Sequence, residues 1–434
     1  MDFNGLSVDQ APPISAPIRF FLTAPLFAIL AGVLILFSDA ASLASRHSIE
    51  AIVITHAITI GFLSFVMFGA LTQMLPVLAG VKIAKVDFVS RLSYTFLLSG
   101  VLSMIFGLWL NIQILIFAAS ALLGGGFLIT IISMLLALKN VINFTPSIKA
   151  MITSLIFALL ITLIGVHLLA SYGVGNFSES HLFFANTHSV WAIFGFAGIL
   201  IIGVAFHILP MFYVAPKFKR FCKQRVVLLI SLGLLFWMVL NLFLDSYAIV
   251  AKIWIITFFW AFATTVHIKL NTRRRKVSDI TIWYWRSASV FMTLGAFSWV
   301  INDFFNSEYI VIVSVMIGGG FILSIMTGML YKIVPFLVWF HLNAKGYMSI
   351  PTMNEMINKR LATAQFVLFI ISLIGFVVSF FAPYLLSLSA IAFIISMLIL
   401  EYNVISPVLI YLKTIKTKPD FDMSMFAATT QQQK

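Results

Sequence analysis

Two histidines carry the chemistry this chain can do. Thr55-His56 and Thr187-His188 each stand at the start of a long apolar run, 20 and 22 residues before Pro76 and Pro210. A neutral imidazole offers a nitrogen lone pair to ferric or ferrous iron and is the usual axial ligand of heme. Two imidazoles from different helices, facing each other across a porphyrin, would clamp it edge-on. The 44 Phe residues suit an apolar pocket, although lipid-facing surfaces use Phe as well. The plainer reading of each histidine is an interfacial ring bonded to a loop carbonyl or to water. Ionisable groups at membrane depth more often serve function. His167, near the end of the run 150–172, falls at the same depth and is the third candidate ligand. His47 and His181 fall in loops on that side, and His207, His267 and His341 near the opposite boundary.

Other polar positions recur in register. Gln73, His207 and Lys332 each stand three residues before a proline: Pro76, Pro210 and Pro335. Lys332 can reach the boundary by its long stem. Together the three can form a polar cluster beneath the bundle, meeting a heme carboxylate or a proton path. Glu401 is a candidate proton-relay or ion-binding group if its helix continues past it. Asp245 and Asp303 read as solvated helix ends. Nothing resembles a nucleophilic triad, a Walker loop or a zinc-binding His-Glu-x-x-His helix.

The elements that must position these residues are membrane helices. Hydrophobic residues make up 62% of 434 positions and charged residues 9%, against about 25% charged in a soluble domain. Apolar runs of bilayer-spanning length, about 20 residues, fall near 20–38, 51–79, 92–110, 112–138, 150–172, 187–214, 226–244, 248–268, 287–304, 309–339, 361–381 and 384–412. The third and fourth are divided only by Asn111 and Gln113. The expected fold is all-α: a polytopic membrane protein of about twelve helices, forming one membrane domain over 20–412.

The net charge of +13 suggests a nucleic-acid partner until the basic residues are placed. All but three of the 27 Lys and Arg fall in the termini or in loops after even-numbered runs, the exceptions being Arg46, Lys252 and Lys332. This is the positive-inside bias, and it predicts both termini in the cytoplasm, with tails over 1–19 and 413–434. Anionic lipid accounts for the clusters at 217–225 and 269–276; no nucleic-acid partner is expected, and the location is the inner (plasma) membrane. The lone Cys222 excludes an intrachain disulfide and a cysteine-based metal site. The first nineteen residues lack a charged n-region and a cleavage site, so the first run is expected to be retained. The Gln-rich end reads as disordered.

Three of the runs end alike, at Leu75-Pro76, Leu209-Pro210 and Val334-Pro335, spaced 134 and 125 residues apart. Agreement in helix number, direction and polar position predicts three pseudo-repeats of four helices, near 20–138, 150–268 and 287–412. The third copy has Val313 and Val315 where the others have histidine. Gly124-Gly125-Gly126 and Gly318-Gly319-Gly320 lie inside apolar runs, where they let helices, or a flat cofactor, approach closely.

The stretch His56-Ala57-Ile58-Thr59-Ile60-Gly61 resembles the His-Ala-x-Thr-x-Gly helix start of the NnrS proteins. Those are twelve-helix heme- and copper-containing membrane proteins tied to nitric oxide stress, distant relatives of the catalytic subunit of heme-copper oxidases. The likeness covers the whole chain as topology and about a dozen residues around His56 as sequence. It implies a heme ligand at His56, the low-spin heme position of the oxidases, with His188 near their copper-ligand position. The chain departs from the oxidases in having no histidine over 309–339 or 226–244. The NnrS pattern also breaks after the second run. A three-histidine copper site beside a second heme therefore cannot be assembled at the expected positions, and proton-pumping oxygen reduction is not expected.

Two readings stand. The first is a heme-binding membrane protein of a non-oxidase branch, in electron transfer with a respiratory-chain partner or in the nitric oxide response, with copper as a weaker candidate cofactor. The second is a permease for a small solute or ion, using Glu401 and Lys332. A third possibility is an assembly or accessory factor that keeps an oxidase-like fold after losing its chemistry.

Overall fold

The computed structural model describes residues 12–277, 279–304 and 309–421. The Gln-rich end and most of the N-terminal tail lie outside the described residues. Within them the chain is all-helical, with no strand. Eleven helices are long and apolar enough to cross a bilayer: α1 (Ser15–Leu36), α2 (Ile49–Ala79), α3 (Val86–Trp109), α4 (Gln113–Leu138), α5 (Pro146–Val174), α6 (His181–Tyr213), α7 (Arg220–Phe243), α8 (Asp245–Asn271), α10 (Ile310–Ala344), α11 (Lys359–Ser379) and α12 (Pro383–Thr414). One further long helix, α9 (Ile280–Ile301), packs against α8 and α10.

The expected run 287–304 is shifted in the structure. α9 begins seven residues earlier, because Asp279 caps it by accepting from the Thr281 amide. Its first two turns hold Trp283, Tyr284, Trp285 and Arg286, whose polar atoms lower its hydropathy and hide it as a span. Arg286, expected in a loop, lies inside this helix and donates to Asn271 at 2.8 Å.

Local signals explain the other boundaries. Ser48 starts α2 by accepting from the Ala51 amide, and Thr145 with Pro146 starts α5. Both patterns satisfy amides that an open first turn leaves free. Gly80 and Gly175, at φ 66° and 69°, end α2 and α5 in the left-handed conformation that glycine takes without strain.

The interior belongs to three helices. Over their most apolar stretches, 56%, 78% and 61% of residues are buried in α2, α6 and α10, against 28–50% in the other spans. They form the core and the remaining helices surround it. α1 packs on α12, so the first and last spans close the bundle. Each core helix also widens into a π-helical stretch: Ala57–Ser64 in α2, Trp191–Gly198 in α6 and Val315–Leu323 in α10. Within each stretch a glycine stands fifteen residues before the proline: Gly61, Gly195 and Gly320. Each is pressed against a phenylalanine of the helix one earlier in the chain, Phe27 of α1, Phe157 of α5 and Phe291 of α9, so closely that a Cβ would overlap the ring.

Candidate functional site

His56 and His188 occupy the eighth residue of α2 and of α6. At 1.5 Å rise per residue both lie about 10 Å below the helix start, at a common depth. The start is the end predicted to be external. π-Helical widening begins directly after His56 and three residues after His188, a distortion frequent at functional positions.

The two rings meet. Their centroids are 6.2 Å apart with 29° between the ring planes. The Nδ1 atom of His56 lies 2.7 Å from the Ile52 carbonyl, and that of His188 lies 3.0 Å from the Ile161 carbonyl of α5. A carbonyl can only accept, so each Nδ1 carries the proton and each Nε2 keeps its lone pair. Metal-bound histidines are typically oriented this way by their second nitrogen. His188 is seated by Gly165 of α5, where a Cβ would come within 2.8 Å of its Cε1.

A cavity of about 1090 Å³ opens around the pair, lined by both rings and by apolar residues of all three core helices. Cofactor pockets typically enclose about 300–1,000 Å³, so this one has the volume for a large planar group. Gly318 of α10 lines it with no atom within 4 Å of where its Cβ would stand, while Gly320 packs on Phe291. Of the second triple glycine, Gly320 serves the helix packing foreseen for it, and Gly318 leaves open space at the cavity wall.

The spacing tests the fit. A metal–imidazole bond is about 2.0–2.1 Å and a ring nitrogen lies about 1.1 Å from its centroid, so two imidazoles on one metal have centroids about 6.3 Å apart. The observed centroid separation is 6.2 Å. Among the described residues no cluster of three or more His, Cys, Asp or Glu could hold a metal ion.

His167 does not join them. It is exposed on α5, edge-on to Phe184 at 5.4 Å, and does not line the cavity. It lies two residues beyond Gly165, about 200° around the helix at 100° per residue, on a different side of α5 from the glycine that seats His188.

The polar positions before the prolines have three different environments. Gln73 is buried with neither side-chain polar atom bonded, His207 is exposed, and Lys332 pairs with Asp279 at the start of α9. Glu401 lies well inside α12 and is buried, with Oε2 unpartnered. Asp303, expected to be solvated, instead pairs with Lys252 on the cavity wall, and Asp245 accepts from Asn241 at 2.7 Å.

Two groups of residues were not foreseen. Arg46, Asn186 and Lys252 line the cavity near its external end. The available signal was that Arg46 and Lys252 break the positive-inside pattern. The second group is a buried network in which Tyr284 and Tyr331 both donate to Gln365 Oε1, and Gln365 donates to Ser396 at 2.9 Å. Its members are scattered along the chain and no spacing announces them. No family model matches this chain, and no curated protein matches it.

Proposed function

We propose that this chain is a heme-binding membrane protein in which His56 and His188 would hold one heme between α2 and α6. The observation that carries this is the imidazole pair itself: 6.2 Å between centroids, both Nδ1 atoms tied to carbonyls, both Nε2 lone pairs left over at a large apolar cavity. Bound iron supplies one-electron redox chemistry. The chain's own part is to fix both rings, exclude water with apolar walls and hold the iron site away from bulk solvent.

If His56 and His188 both held the iron, little room at it would be left for a gas. Electron transfer with a membrane or respiratory-chain partner is therefore the favoured role, ahead of direct nitric oxide handling. α9 completes twelve spans with both termini cytoplasmic. The matched π-helical stretches and glycine–phenylalanine contacts of α2, α6 and α10 support three sets of four helices, the plan shared with the heme-copper oxidase subunit.

The test is an absorption spectrum of protein purified from heme-replete cells, oxidised and dithionite-reduced, with heme quantified per chain. One heme per chain and sharp low-spin bands on reduction are expected. A colourless protein rejects the reading. It would favour the permease alternative, whose support is the buried Glu401 with its unpartnered oxygen.

A further inference from the structure

A second cleft opens on the outside of the bundle, and it shares no residue with the wall of the histidine cavity. It encloses about 450 Å³ between His267 and Asn271 of α8, Trp283, Arg286 and Val290 of α9, and Phe366 of α11. Arg286 is the only Lys or Arg that lines it, and no carboxylate among the described residues does. The guanidinium donates to Asn271 Oδ1 at 2.8 Å and lies 5.4 Å from the Trp283 ring centroid. Its Nε is buried and has no partner among the described residues. The acid nearest to it along α9, Asp279, is committed to Lys332 and to the Thr281 amide. An arginine keeps its charge under all ordinary conditions. Withdrawing part of that charge from water without an anion is costly.

The lining is graded with depth. Trp283, Arg286 and Val290, three and four residues apart, share one face of α9. That helix starts at Ile280 on the predicted cytoplasmic side. At 1.5 Å per residue, Arg286 lies about 9 Å in and Val290 about 15 Å in. Asn271 is the last residue of α8, at the same end. Trp283 and Val290 are 49% and 52% exposed on the outer surface of the bundle, where lipid would meet them. Polar groups therefore stand at the boundary and apolar ones deeper, with a tryptophan at the level where amphipathic rings gather. The loop joining α8 to α9 adds Arg273, Arg274, Arg275 and Lys276 beside the mouth of the cleft.

We propose that this cleft is a binding site for one anionic phospholipid of the cytoplasmic leaflet, with its phosphate on Arg286 and an acyl chain against Val290 and Phe366. A guanidinium presents a planar fork that matches phosphate oxygens with two parallel hydrogen bonds. Asn271 and Trp283 hold that fork in place, so less freedom is lost when the phosphate arrives. The loop cations attract anionic lipid diffusely, within a Debye length of the surface. Arg286 differs from them in standing inside a walled cleft whose far end is apolar. The site is independent of the histidine pair and survives its failure.

The test reads which lipid the full-length protein keeps. Protein is reconstituted in vesicles of equal phosphatidylglycerol and phosphatidylcholine with matched acyl chains, extracted in mild detergent and weighed by native mass spectrometry. Wild type should retain one phosphatidylglycerol per chain, preferred over phosphatidylcholine by roughly 10-fold or more, the range expected for hydrogen bonds to a charged group. Arg286→Gln should lose most of that preference, and Arg286→Lys should keep part of it. Asn271→Ala, at an exposed helix end, keeps the charge but frees the guanidinium, and should lower the preference several-fold. Arg275→Gln, in the loop, should leave it near wild type. Melting of Arg286→Gln near the wild-type temperature assigns its loss to the lipid; should that variant not fold, Asn271→Ala decides. Equal retention of the two lipids by wild type overturns the site. So does wild-type preference in Arg286→Gln and Asn271→Ala, or an equal loss in Arg275→Gln, which would reduce the effect to diffuse attraction. A lipid-free dimer that separates in Arg286→Gln would give this face to a second copy of the chain and overturn it as well.

Discussion

The α2–α6 pair and α10 have the same construction and opposite chemistry. All three helices carry a π-helical stretch, a glycine seated on a phenylalanine of the preceding helix, and a proline fifteen residues later. α2 and α6 present His56 and His188 to the cavity. α10 presents Ile317, Gly318 and Gly319, with Val313 and Val315 in place of histidine. Its polar groups are lower down and already engaged, with Lys332 on Asp279 and Tyr331 on Gln365. Backbone architecture fixes where a side chain can enter the cavity. What differs is one residue per helix, a histidine whose Nδ1 lies near a carbonyl in α2 and α6 and a valine in α10.

The largest effect should come from breaking the reactive half. His56→Ala and His188→Ala should each abolish the low-spin heme spectrum, because one ligand alone cannot complete the axial pair. An unchanged spectrum in either variant would move the ligand elsewhere.

Next is the seat of His188. In Gly165→Val the new side chain displaces the imidazole from the α5 backbone, and heme binding should weaken about 10-fold or more, in line with the cost of overpacking. Heme titration of the detergent-solubilised variant measures this. Wild-type affinity would show that the ring position does not depend on Gly165.

The other half should respond in stability and not in spectrum. Lys332→Met leaves Asp279 unpaired where the two side chains are only 15% and 21% exposed. The cost should fall between surface and fully buried pairs, about 1–3 kcal/mol, read as a lower melting temperature with heme bands unchanged. Altered bands would mean that the Lys332–Asp279 pair acts on the heme site.

The smallest effect is His167→Ala. The ring points away from the cavity, so heme content and spectrum should match wild type. Loss of either would restore it as a ligand.

Much of this was legible in the sequence, for physical reasons. Apolar runs must be helices in a bilayer because no water is available to satisfy an open backbone, so eleven of the expected spans appear with shifted ends. His56 and His188 could be matched in depth because distance to a shared proline is a ruler along a helix. The same ruler measures no rotation, which is why His167 was placed with them. α9 was cut short because Trp283, Tyr284, Trp285 and Arg286 read as boundary residues, although a long side chain can carry its charge to the interface from within a helix. Gly165 and Asn186 act only through tertiary contact. Arg46 and Lys252 were visible as exceptions to a charge rule, and both line the cavity.

The central claim is tested most directly by low-temperature electron paramagnetic resonance of the ferric, heme-loaded protein. Wild type should give only the low-spin signal of iron with two imidazole ligands, and that signal should be absent from both His56→Ala and His188→Ala. A high-spin wild-type signal, or a low-spin signal that survives either substitution, would contradict the pairing of these two rings.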